Sequence, residues 1–435
     1  MDFAITLSAL QPFHHIEPTS PPATLRRRVD RLLHAHAPIE GETPLEFVEI
    51  DFDAPGDTRS RRFQKHAWRT IGPIFALHAF FGDERWLRLA RHYASRWMEA
   101  LDRAPEPHDE APGGEGVNHF AWYDMAVGLR ASRLAYLLDR LARAPDRDEA
   151  LIDQYAHMLA RHLDFLTDEA NFARHSNHGM FEALGYLSAC RRFPDTPWIA
   201  AHAPRAEAMF AEMVAQQFHP DGVHREHSPG YHDYFVQLFH SGLMDGLLRP
   251  ADFPEGLLEA AEQALFWMVA PNGTLLAFGD TNPKPAGRGL WRIEGERERA
   301  FAAKLRYGWR RRRDEIGAKL YPDAGLAFIR ARGKEGTRSY LAFNGGFHSR
   351  VHKQADDLSM VWFEGGDAIL ADPGSYGFLG RTEPGSALHE AGFWYGDLKR
   401  VYVETTAAHN CVEIDGRSHP RRDAPPYGSA IARVR

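Results

Sequence analysis

Cysteine is scarce in this chain, with two residues, Cys190 and Cys411, among 435. They lie far apart in apolar surroundings, which excludes a disulfide framework and a cysteine-only metal site by count. Long hydrophobic runs are missing too. Charges recur throughout, and no apolar stretch reaches the roughly 20 residues that a membrane-spanning helix needs. Nor is there a surplus of positive charge. The 52 Lys and Arg against 59 Asp and Glu leave a formal charge of -7, whereas phosphate recognition needs a net basic surface. A local basic run, Arg310 to Arg313, reads as a solvated helix end. The start, Met1-Asp2-Phe3-Ala4, has neither the basic region nor the apolar stretch of a secretory signal. The expected location is therefore cytoplasmic by default, or periplasmic if the natural N-terminus lies further upstream. Membrane insertion and nucleic-acid binding are not expected, and nothing in the sequence speaks to oligomeric state.

Flat rings and imidazoles are plentiful: 24 His, 10 Trp, 14 Tyr and 27 Phe. From about residue 60 to 315 the apolar positions follow the 3.6-residue period. Trp86, Leu89, Ala90, Tyr93, Trp97 and Leu101 form one such stripe after Asp83, and Leu151, Tyr155, Met158, Leu159 and Leu163 form another. Further helices are predicted at 178–190, 200–217, 231–248 and 256–270, separated by turns such as Pro220-Asp221-Gly222. Helical hairpins without a short sequence repeat point to a closed or horseshoe toroid rather than an open solenoid.

After Tyr321-Pro322-Asp323 the texture changes to short β-prone runs: Gly325 to Ile329, Ser339 to Phe343, and Leu358 to Phe363, which turns at Gly365-Gly366 into Ala368 to Leu370. Cys411 to Ile414 is expected as another strand. The predicted class is α+β: an N-terminal segment plus an (α/α) toroid, the expected catalytic domain, over residues 1–317, followed by an antiparallel β-sandwich over 318–435. The latter is expected to be incomplete at its C-terminal end.

Five segments could carry chemistry. Asn177-His178-Gly179 stands where a helix starts, so Asn177 could meet an anion or could simply cap the helix. Glu226-His227-Ser228-Pro229-Gly230-Tyr231-His232 places a phenol at a loop-to-helix junction, where packing is the bland alternative. His352 to Ser359, Ala371-Asp372-Pro373-Gly374 and His409-Asn410 flank predicted strands. Their imidazoles and carboxylates could bind a metal or could merely form turns.

Together these segments, with Phe278-Gly279-Asp280, resemble the heparinase II/III-like family of polysaccharide lyases in the family's order, over about residues 60 to 416. The resemblance implies β-elimination on a uronic-acid-containing polysaccharide, an acidic polymer being the partner. It assigns carboxylate neutralisation to Asn177 and His178, and acid and base roles to Tyr231 and His352. Glu226 and His409 become candidate substrate contacts. No cofactor is required for this chemistry. Many relatives place a structural zinc among a His, an Asp and a later His; Asp372 and His409 match two of these, but Gln354 stands where the first His belongs. A metal-free hydrogen-bonded lock is the alternative. Trp122, Trp394 and Tyr395 could stack on sugars, and His119 and Arg130 could line the same cleft, a place in the core or on a solvated face being the alternative for all five. Two other functions compete: a glycoside hydrolase using two carboxylates from Glu226, Asp233 and Asp280, and a non-catalytic exopolysaccharide-binding protein.

Overall fold

The computed structural model describes residues 3–17, 22–36, 50–54, 56–102, 120–284, 315–333, 335–421 and 427–431. The Arg310 to Arg313 run and His119 lie outside the described residues. Among the described residues, eleven α-helices precede the strands: α1 (Pro22–His36), α2 (Arg59–His66), α3 (Gly72–Phe81), α4 (Glu84–Asp102), α5 (Asp124–Arg143), α6 (Glu149–Thr167), α7 (Asn177–Arg192), the single turn α8 (Pro197–Ala200), α9 (Ala203–Gln217), α10 (Pro229–Met244) and α11 (Leu257–Trp267). Strands follow at Gly317–Tyr321 (β1), Leu326–Arg332 (β2), Arg338–Asn344 (β3), Gly346–Phe347 (β4), Ser359–Glu364 (β5) and Asp367–Leu370 (β6). Short helices α12 (Ala387–Glu390) and α13 (Leu398–Val403) come next, and β7 (Gly428–Ser429) is last. A helix-rich N-terminal region thus gives way to an antiparallel sheet, as the periodicity predicts. The chain divides into two compact units, residues 1–214 with 241–252, and residues 215–240 with 253–435.

In the first unit, α5 is buried on nearly every side, its Arg130, Arg133 and Asp139 included. The amphipathic α6 is started by the Asp148 carboxylate, which accepts from the Leu151 backbone N–H at 3.1 Å. Helices α5 and α7 run parallel and meet backbone to backbone. A Cβ on Gly185 would lie 1.9 Å from the Gly128 carbonyl oxygen, so only glycine fits this crossing. Farther along, Ser132 and Ser188 hydroxyls meet at 2.9 Å. This contact fixes the register that sets the start of α5 beside the start of α7.

Arg130, a candidate cleft residue by sequence, belongs to this core. It is fully buried, its guanidinium lies 4.3 Å over the Trp97 ring, and its Nε donates to His162 Nε2 at 3.0 Å. Of the two readings the sequence allows it, cleft or core, the structure shows the core, with its donors spent on the protein interior.

In the second unit, five strands form one antiparallel sheet in the order β1-β2-β3-β5-β6. Alternation sorts its faces. Phe328, Tyr340, Ala342, Val361 and Phe363 point inward, joining Phe266, Trp267, Leu276 and Phe278 in a common core. The Tyr340 hydroxyl donates to the Trp267 carbonyl at 2.6 Å. Ile329, Met360 and Trp362 lie exposed on the other face. Among the described residues, the one other strand pairing joins β4 to β7.

One strand expectation fails. Residues 411–414 form no strand, only an isolated bridge between Ile414 and Arg417. The amide of Asn410 explains the loss: its Nδ2 donates to both Met360 O (3.1 Å) and Ala371 O (2.6 Å), a side chain taking acceptors that a strand backbone would otherwise use.

Candidate active site

The second unit gathers most of the sequence candidates. Tyr231 sits in the first turn of α10, where the buried Ser228 hydroxyl accepts from its backbone N–H at 3.3 Å. Ser228 also meets the Thr281 hydroxyl at 2.8 Å, and Thr281 Oγ1 accepts from the Gly230 N–H at 3.0 Å. These bonds tie the start of α10 to the Phe278-Gly279-Asp280 turn and give the Ser228 to Tyr231 spacing a physical reason.

That turn lies against the His352 backbone. Gly279 has φ +52°, and a Cβ there would stand 2.6 Å from the carbonyl oxygens of His227 and His352, so the position demands glycine. The Asp280 N–H donates to His352 O at 3.1 Å. His352 itself has φ +54°, a strained backbone for a non-glycine residue and one that concentrates at functional sites.

The phenol of Tyr231 and the imidazole of His352 are stacked, with ring centroids 3.8 Å apart and planes 21° from parallel. Carboxylates flank both imidazole nitrogens. Asp280 Oδ2 lies 3.0 Å from Nδ1, and Glu226 Oε2 lies 3.6 Å from Nε2. The Asp280 carboxylate is held from its other side by Arg400, through Nη1 to Oδ1 at 2.6 Å and Nη2 to Oδ2 at 2.9 Å. Arg400 in turn pairs with Glu404 at 2.5 Å, and Glu404 with Arg421 at 3.2 Å. Burial opposes the charge on Asp280, but hydrogen bonds from His352 and Arg400 outweigh it and hold the carboxyl down at about 2. Burial pushes the Tyr231 phenol well up, and the Glu226 and Asp280 charges push it further. The phenol therefore keeps its proton at neutral pH and is suited to give it away.

Arg400 is the residue sequence reasoning missed. It sits on the six-residue α13, started by Asp397 accepting from Lys399 and Arg400 N–H groups, and reaches a carboxylate 120 positions earlier. Asp280 was noticed as part of a motif and as a hydrolase candidate, not as the partner of His352.

Asp372 and His409, which the resemblance links as metal ligands or as parts of a lock, lie together: His409 Nδ1 and Asp372 Oδ2 are 2.9 Å apart. Further bonds tie this cluster to its neighbours. Asp372 also accepts from Ser359 Oγ at 3.3 Å and from the Gly374 N–H at 3.2 Å. The Gln354 amide nitrogen donates to Asp280 Oδ1 and to Gly374 O. Among the described residues no three His, Cys, Asp or Glu side chains converge as ligands, whereas structural zinc takes four. Two atoms of this cluster, His409 Nε2 and Gln354 Oε1, are buried with no hydrogen-bond partner, so the donor set beside Asp372 is one imidazole and one amide oxygen. The His409 side chain has no exposed surface, so its expected role as a substrate contact is corrected: the Asp372 pairing spends it inside the fold.

In the first unit the N-cap of α7 is Ser176, whose hydroxyl accepts from the His178 N–H. Asn177 therefore occupies the first helical position instead of the cap. His178 Nδ1 lies 2.8 Å from Asp124 Oδ2, a pairing set by the α5–α7 crossing. Glu182, one turn further on, accepts from the Ala173 N–H at 3.0 Å. Burial pushes its carboxyl up to about 8.

Two family profiles match the chain: Heparinase II/III N-terminus over residues 53–290, and Heparinase II/III-like, C-terminal, over residues 314–433. The chain belongs to the heparinase II/III family. A search of curated proteins returns no match. Solved structures similar to this family member include heparinase III, at 16% identity and a TM-score of 0.65, the alignment covering 96% of this chain and 66% of that one. Another heparinase III gene product aligns at 18% identity and TM-score 0.61, over 95% and 64% of the two chains. Heparan sulfate lyase HepC from Pedobacter heparinus aligns at 18% and 0.58, over 94% and 64%. The chain thus spans slightly less than two thirds of the length of these structures. No helix among the described residues is long and apolar enough to cross a membrane.

Proposed function

We propose that this heparinase II/III family member is a polysaccharide lyase that cleaves a uronic-acid-containing polymer by β-elimination. The observation that carries the reading is the Tyr231–His352 stack, one ring a retained proton donor and the other an imidazole anchored by a carboxylate.

In the proposed reaction His352 removes the C5 proton of the uronate. The electrons of that C–H bond form the C4–C5 double bond, the C4–O glycosidic bond breaks, and Tyr231 protonates the departing oxygen. Removing so weakly acidic a proton requires the sugar carboxylate to be neutralised as charge spreads into it. That role is proposed for Asn177 and His178. Glu226, buried beside His352, is the proposed substrate contact on the Nε2 side. The polymer itself is an acidic polysaccharide, and no cofactor takes part in these steps.

A two-carboxylate hydrolase is less well supported. Asp280 is bound by His352 and Arg400 and held ionised, which unfits it as a general acid, and Asp233 is fully buried.

The deciding experiment incubates the protein with alginate, polyglucuronate, heparan, hyaluronan and bacterial capsule polymers while following ultraviolet absorbance and polymer size together. Elimination gives new absorbance from the conjugated double bond as the chains shorten. Shortening without absorbance would overturn the lyase reading in favour of hydrolysis, and saturable binding with neither change would favour the binding protein.

A further inference from the structure

The two carboxylates beside His352 compete for one imidazole proton. Asp280 faces Nδ1 at 3.0 Å, within hydrogen-bond range, and Glu226 faces Nε2 at 3.6 Å, outside it. A neutral imidazole carries its proton on one nitrogen only, and a base must keep its lone pair on the nitrogen that faces the substrate. Were Glu226 to set the tautomer, the proton would sit on Nε2 and the free lone pair would point at Asp280, where no substrate atom can go.

The fold weights this competition. Asp280 cannot turn away from Nδ1, because Arg400 grips both of its oxygens, Gln354 Nε2 donates to Oδ1 at 3.2 Å, and its own N–H is bonded to His352 O. Bidentate guanidinium binding fixes direction as well as charge. Glu404 and Arg421 continue the alternation behind Arg400, so the grip is braced within the same unit. The imidazole is closed in by the Tyr231 ring at 3.8 Å and the Phe378 ring at 6.1 Å.

We infer that Asp280, clamped by Arg400, is a positioning residue that fixes His352 as the Nδ1–H tautomer and leaves Nε2 as the nitrogen that accepts a proton. Neither Asp280 nor Arg400 touches the reacting atoms in this scheme. The value of the tautomer for proton abstraction rests on the lyase reading; the tautomer itself does not.

The test has two arms. Protein labelled with 15N at histidine is examined by long-range proton–nitrogen correlation at alkaline pH, with His352→Gln identifying the resonance. The expected pattern is a protonated Nδ1 and an unprotonated Nε2 in the wild type, reversed in Asp280→Asn, whose amide donates where the carboxylate accepted. A wild-type His352 protonated on Nε2 overturns the inference, whatever the activity.

In the second arm, Asp280→Asn is expected to lower kcat by about 10²-fold or more with KM little changed, and Arg400→Lys, which keeps the charge but not the fork, to lower it less. An active lyase whose kcat survives Asp280→Asn overturns the positioning role. Should no polymer yield the unsaturated product, the lyase reading fails, and the wild-type spectrum still decides the tautomer.

Discussion

The ring of Tyr231 lies face to face on the ring of His352, with centroids 3.8 Å apart. An acid and a base held in one stack cannot drift independently, so the geometry of one constrains the other. Three local devices make the stack: the Ser228 bond to the Tyr231 N–H, the Thr281 bridge, and the approach of Gly279 to the His352 carbonyl.

Tyr231→Phe keeps the ring and removes the proton. In the proposed mechanism kcat should fall by about 10²- to 10⁴-fold, the usual range for loss of a general acid, while substrate binding and Tm stay near wild type. His352→Ala should lose a similar factor in kcat together with the stacking partner. Steady-state kinetics by ultraviolet absorbance checks both, and full activity in both variants would sink the assignment.

Gly279→Ala should be far more damaging than an ordinary glycine replacement in a turn. The added methyl meets two carbonyl oxygens at 2.6 Å in a backbone at φ +52°, and forcing such a contact typically costs about 1–3 kcal/mol. Because one of those oxygens belongs to His352, activity should fall further than stability alone accounts for. Thermal unfolding and kcat measured on the same sample would separate the two effects, and unchanged values of both would contradict the close approach.

Much of this arrangement was legible in the sequence, for physical reasons that also mark where legibility ends. The α6 stripe through Tyr155, Leu159 and Leu163 and the β5–β6 hairpin at Gly365-Gly366 rest on local periodicity and turn chemistry, and both appear in the fold. Tyr231 and His352 were placed by motif. Arg400 left no local signal, since its role depends on a bond to a residue 120 positions away. Cys411 to Ile414 had strand-like residues but lost its ladder to the Asn410 side chain. For Arg130 cleft and core both stayed open, because sequence cannot show that backbone carbonyls and His162 already claim its donors.

Acid should destabilise the second unit steeply. His232 donates from Nε2 to Ala261 O at 2.8 Å and accepts at Nδ1 from the His224 N–H at 3.1 Å. His227 likewise pairs Nδ1 with Val351 O and accepts at Nε2 from the His348 N–H. Each ring is neutral by construction, because a second proton would face an N–H. Burial lowers His232 to about 4 and His227 to about 3. In the unfolded chain both titrate near 6.5, so that state binds the extra protons first and stability falls as pH drops from about 6.5 toward 4. Each proton contributes about 1.4 kcal/mol per pH unit, so the pair alone should give about 2.8 kcal/mol per pH unit. Denaturant unfolding across that range checks the slope, and His232→Gln should remove about one proton from it. A slope below one proton would mean that the rings are accommodated charged.

The Asp372–His409 pair should behave as a lock rather than as two metal ligands. Burial disfavours the charged imidazole, but the Asp372 bond and charge outweigh it and raise His409 above its ordinary value. The partner carboxylate is fully occupied by Ser359, Gly374 and the imidazole. Asp372→Asn removes the charge that holds a buried ring in place, and breaking such a pair from one side costs about 3–5 kcal/mol. Tm should fall accordingly. Prolonged dialysis of the wild-type protein against a strong chelator should leave Tm and kcat where they were, because the bonds from Ser359, Gly374 and His409 Nδ1 already hold Asp372 in place without a metal. A Tm lowered by the chelator and restored by zinc, with the response missing in His409→Gln, would refute the lock and make Gln354 an oxygen ligand.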